Sequence, residues 1–122
     1  MLRIATICWL MLAALPLRAD TESAVPRSPG DMTVEERTQM MQIAGSYSNC
    51  LYQQGIENID ADADIRRIAD IAMTACRVHL ETLEKTITDW GFEPNFATAF
   101  TRNVRDRGVH KLLPELAIRK SN

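Results

Sequence analysis

Between Met40 and Trp90 the apolar residues fall into two stripes. In the first, Met40, Ile43, Tyr47, Cys50 and Gln54 recur at alternating steps of three and four, with Ala44 and Leu51 beside them. That spacing returns to one face of a helix. In the second, Ile65, Ile68, Ala69, Ala72, Cys76, His79, Leu80, Leu83, Ile87 and Trp90 keep the same rhythm for about seven turns, too long for a strand. Each stripe carries one cysteine. The pattern predicts two amphipathic helices packed antiparallel, with residues 55–62, acidic and Asn-containing, as their connection.

Register tests the pairing of the cysteines. Cys50 lies four residues before an expected helix end at Gln54, and Cys76 thirteen after an expected start at Ala63. The two arms therefore differ by roughly 14 Å of helical rise. A connection of this length can reach roughly 30 Å, enough to absorb the offset and cross between helices about 10 Å apart. A Cys50–Cys76 disulfide is feasible, and closing that loop stabilises by about 3.5 kcal/mol on a chain-entropy argument.

Helix boundaries come from capping chemistry. Thr33 followed by Glu36 forms a capping box, so the first helix is expected to begin at Val34. Asp60, Asp62 and Asp64 suit the N-terminus of the second through the helix dipole. Their alternate spacing also invites a calcium reading, but the glycine and distal glutamate of an EF-hand loop are missing, so they are read as caps. Gly91 followed by Phe92 predicts a sharp stop with Phe92 against Ile87. The same device at Gly108, with Val109 against Val104, predicts a third helix over 95–107 that uses Phe96, Phe100 and Val104. Pro114 is then expected to open a short final helix with Leu112, Leu113, Leu116 and Ile118. The fold class is all-α, a small helical bundle built on a disulfide-linked antiparallel helical hairpin.

The first residues change the picture of where this domain works. Arg3 precedes an apolar run from Ile4 to Leu17, and Ala19 precedes Asp20. Residues 1–19 read as a signal peptide cleaved after Ala19, too short to span a bilayer comfortably and interrupted by Pro16. Cys8 leaves with it. Of the three cysteines in the chain, that leaves one pair in an exported domain of roughly 100 residues, which implies one disulfide. Residues 20–32, polar and broken by Pro26, Pro29 and Gly30, are expected to be a flexible tether ahead of a helical domain at 33–122. The expected location is the periplasm or outside the cell, with no stable membrane insertion after cleavage.

Charge is uneven. The whole chain carries a formal net charge of −2, yet Arg102, Arg105, Arg107, Lys111, Arg119 and Lys120 stand against Asp106 and Glu115 in residues 102–122. An acidic body with a basic tail suits docking on an anionic lipid or an acidic protein, with Arg102, Arg105, Arg107 and Lys111 as the candidate partner-binding residues. The bland reading of the same cations is that they complement a helix C-terminus. Export and negative net charge disfavour nucleic acid.

Chemistry is sparse. Cys76 and His79 lie one turn apart with Cys50 opposite, so a metal or redox centre at Cys50, Cys76 and His79 is the alternative reading. It has no fourth ligand at a suitable spacing, His110 being distant, and no C-x-x-C motif. Glu81 and Glu84 are read as a solvated face. No nucleophile-elbow or phosphate-loop signature occurs, so no catalytic residue, cofactor or metal is assigned. The function expected is that of a non-enzymatic interaction protein: an inhibitor, an immunity-type protein or a small chaperone.

Overall fold

The computed structural model of the chain describes residues 25–122; the proposed signal peptide and Cys8 lie outside the described residues. Three helices make up the domain: α1 (Val34–Glu57), α2 (Ile65–Asp89) and α3 (Pro94–Ser121). They pack as a bundle in which each touches the other two. The capping box starts α1 where expected: the Glu36 amide donates to Thr33 Oγ1 at 3.1 Å and the Thr33 amide to Glu36 Oε2 at 3.2 Å. Asp64 caps α2 by accepting from the Arg66 amide, and Asp62 accepts from the Asp64 amide. The aspartates around 62–64 thus act as caps. Gly91 ends the α2 region at a φ of 88°, a conformation only glycine adopts cheaply. Phe92 is buried in the same cluster as Ile87, as expected.

The helical hairpin is joined by the Cys50–Cys76 disulfide, with 5.9 Å between the two Cα atoms. The connection is shorter than expected. Helix α1 does not stop at Gln54 but continues through Gly55 to Glu57, and α2 starts at Ile65 rather than Ala63. Gly55 is a buried helical residue facing Leu112 and Leu116 of α3, so its lack of a side chain serves packing rather than a turn.

The larger departure is α3. The expected break at Gly108 and restart at Pro114 do not occur; one helix runs from Pro94 to Ser121. A Cβ on Gly108 would lie 2.6 Å from Leu51 Cδ1 and 3.3 Å from Tyr47 Cε1, so this glycine lets α3 approach α1 closely. Pro114 removes one ladder bond, to the carbonyl of His110. Its side is exposed, and the buried row Gly108, Leu112 and Leu116 continues past it. Packing along that row outweighs the local stop signals.

The core has two parts. Near the α1–α2 connection, Tyr47, Leu51, Ile68, Ala69, Ala72, Cys76, Leu112 and Leu116 pack together. At the other end Met40, Leu83, Ile87, Phe92 and Ala97 do so, with Val104 touching both groups. The expected tether is a further correction within its described part. Arg27 forms a two-pronged ion pair with Glu36 (2.9 and 3.0 Å), donates to the carbonyls of Asp31 and Trp90, and stacks 4.4 Å above the Phe92 ring. Its backbone also pairs with Gly91 and Glu93. One long side chain with a planar fork accomplishes this docking, which an apolar-periodicity reading has no means to register.

Candidate functional site

The four cations expected to bind a partner do not share a surface. Successive helical residues turn by about 100°, so Arg102 and Arg105 point one way while Arg107 and Lys111 point roughly opposite. Arg102 and Arg105 border a small depression of about 170 Å³ against α2, beside Glu84. Acidic groups already stand on that side: Arg105 pairs with Asp106 at 3.1 Å, and Glu84 accepts a hydrogen bond from Thr98. Arg107 and Lys111 face α1 instead. Neither has an ion-pair partner among the described residues.

Between α1 and α3 lies a groove made of two adjoining depressions of about 320 and 420 Å³, which share Ser48, Asn49 and Lys111. Ala44, Val104 and Leu112 lie along its apolar floor. Met41, 56% exposed, stands on the α1 wall near one end and Tyr52, 42% exposed, near the other. Gly45 opens the middle, with no heavy atom within 4 Å of where a Cβ would stand. Arg107 and Lys111 are one helical turn apart on the α3 wall, and Glu115 follows beside the second depression. The α1 side of this groove was legible in principle. Met41, Gly45, Ser48 and Tyr52 form a second row at steps of four, three and four, adjacent to the apolar stripe but too mixed to register as one.

At the far end, Arg119 donates to the Tyr52 hydroxyl at 2.9 Å, and Lys120 donates to the Asp62 carbonyl at 2.6 Å. These two cations of the tail are occupied in tying α3 to the hairpin. Burial pushes the Tyr47 phenol pKa up, and its hydroxyl has no hydrogen-bond partner among the described residues. The Thr101 hydroxyl is likewise buried and unpaired.

His79 is half-buried one turn from Cys76. With sulfur bonded to sulfur, neither cysteine presents a thiolate to a metal, so the alternative centre at Cys50, Cys76 and His79 could apply only to the reduced chain. Among the described residues no group of three or more His, Cys, Asp or Glu side chains is placed to hold a metal ion. No described helix is long and apolar enough to cross a membrane.

The fold and the groove together define a disulfide-linked all-α bundle with a cationic, apolar-floored cleft between α1 and α3. Comparison with family models, with curated proteins and with solved structures finds no match for the chain.

Proposed function

We propose that the chain is an exported, non-enzymatic interaction protein, of the inhibitor, immunity-protein or small-chaperone kind, which receives a protein partner in the groove between α1 and α3. The observation that carries this reading is the pair Arg107 and Lys111, free of ion pairs among the described residues and set above apolar surface. Cations beside an apolar cleft supply steering and selectivity, while the cleft supplies area to bury. Export is supported by the disulfide, which persists in oxidising compartments, and by the leader-like pattern of residues 1–19.

The test is in-cell photo-crosslinking of the exported chain, with a benzophenone amino acid at Asn49, an exposed residue on the groove wall. A discrete crosslinked protein that disappears when Arg107 and Lys111 are both changed to Gln, but persists when Arg102 and Arg105 are, supports the reading. A crosslinking pattern that is the same in all three chains removes it.

A further inference from the structure

Deepening the reading just proposed, and resting on it, we infer that the occupant of the α1–α3 groove is an acidic amphipathic helix of about three turns, which would complete the bundle as a fourth helix. The length follows from the groove. From Met41 to Tyr52 along α1 is roughly 17 Å of helical rise, the span of about 11 residues. The choice of a helix follows from backbone chemistry. Both walls are α-helices, whose main-chain groups are paired internally, so an extended segment would find no ladder partners there. A helix brings its own backbone hydrogen bonds and needs only side-chain complementarity.

The shape of the α1 wall fits the same occupant. Gly45 and Ser48 put the least bulk at the middle of the row, with the Gly45 Cβ position open to 4 Å, while Met41 and Tyr52 stand up at either end. Small residues at the point of nearest approach allow two helices to come close along a ridge-and-groove contact. The occupant therefore carries small or medium apolar residues facing Gly45 and larger ones toward Met41 and Tyr52.

Charge sets its polar flank. Arg107 and Lys111, four residues apart, match two carboxylates also four residues apart on the facing helix. Glu115 disfavours a third carboxylate beyond Lys111, so the acidic pair lies on the Arg107 side of that point. Ser48, Asn49 and Asn103 put hydrogen-bonding groups on the walls, which suits the mixed surface of a helix better than an acyl chain.

The experiment measures fluorescence anisotropy of a labelled 15-residue helical peptide with Leu and Ala on one stripe and two Glu four residues apart on its flank. A matched peptide has Lys in place of both Glu. The folded, oxidised chain is expected to bind the Glu peptide at least tenfold more tightly than the Lys peptide, with the preference shrinking as salt rises. The double variant Arg107→Glu, Lys111→Glu should invert the order, whereas Arg102→Glu, Arg105→Glu should leave it unchanged. Gly45→Phe, whose new ring occupies the groove rather than the core, should weaken the Glu peptide at least tenfold with an unfolding midpoint no lower than that of the wild type. Equal affinity for the two peptides, or binding indifferent to Gly45→Phe, overturns the inference. So does tight binding of dodecanoate that excludes the Glu peptide, or a concentration-dependent dimer that does so. If the Asn49 crosslink to a partner survives while the peptides fail, the interaction reading stands and only the acidic helix is wrong. If both fail, both fall.

Discussion

The two seams that α1 makes are built on opposite plans. Toward α2 it is held by the Cys50–Cys76 bond, so a covalent link fixes the register of the two helices beside a core that includes Ile68, Ala69 and Ala72. Toward α3 it sets Gly55 against Leu112 and Leu116, and Tyr47 and Leu51 against Gly108, so contact depends on the absence of a side chain on one partner at two points. Beyond those points the second seam opens into the groove. Rigid attachment on one side leaves the other free to be shaped for docking, because the hairpin does not rely on α3 for its register.

The largest effect should come from cutting the first seam. Cys50→Ser with Cys76→Ser is expected to cost about 3 kcal/mol, which for a domain of this size lowers the thermal midpoint by roughly 12–24 °C. Helical circular dichroism at low temperature should persist. An unchanged midpoint would mean that side-chain packing alone holds the α1–α2 seam.

The second seam is tested by Gly108→Ala. The new methyl meets Leu51 and Tyr47, both fully buried and without room to retreat, so the variant should lose about 1–2 kcal/mol in denaturant unfolding despite the better helix propensity of alanine. Gly45→Ala, the same exchange on the open wall of the groove, should instead gain about 0.5–1 kcal/mol. Opposite signs from one substitution type would separate the contact region of the seam from its open region. Equal signs would merge them.

The smallest effect concerns the N-terminal clasp. The Arg27 guanidinium holds the Glu36 carboxyl below its ordinary pKa; the Arg66 amide does the same for Asp64, and the Ser28 amide for Asp31. Each carboxyl is depressed in the folded state, so its contribution is complete above the ordinary carboxylate range and is lost as pH falls through and below it. The unfolding midpoint should therefore decline below about pH 4, and Glu36→Gln should make that decline shallower. A slope identical in variant and wild type would show that the clasp does not contribute to it.

What could be read from the sequence follows the range over which each signal acts. Thr33 with Glu36, Asp64 and the Gly91–Phe92 stop are local devices, and the structure has each where the residues imply it. The cysteine pairing needed only two stripes and a reach argument. Gly55 and Gly108 misled because glycine serves both as a helix stop and as a point of close approach, and local sequence does not say which. The clue was the four-residue spacing of Val104, Gly108, Leu112 and Leu116, which carries the buried face straight through the supposed break. Arg27 left no periodic trace, since its partners Glu36, Trp90 and Phe92 are distant in the chain. For the candidate site, the charge of residues 102–122 was legible but its division between two faces was not. That division requires knowing that α3 is one continuous helix, so that Arg107 and Lys111 can be phased against Arg102 and Arg105.

Pro114 also has a kinetic meaning. By withholding an amide it weakens the ladder of the C-terminal part of α3, and past the buried Leu116 every residue is exposed, so residues 117–121 form a turn able to open without global unfolding. Lys120 is part of that unit and grips the Asp62 carbonyl, so each opening releases the loop between α1 and α2 as well. Amide exchange at residues 59–64 should therefore keep time with exchange at 117–121, and the C-terminal turn would set the tempo of a loop it never precedes in the chain.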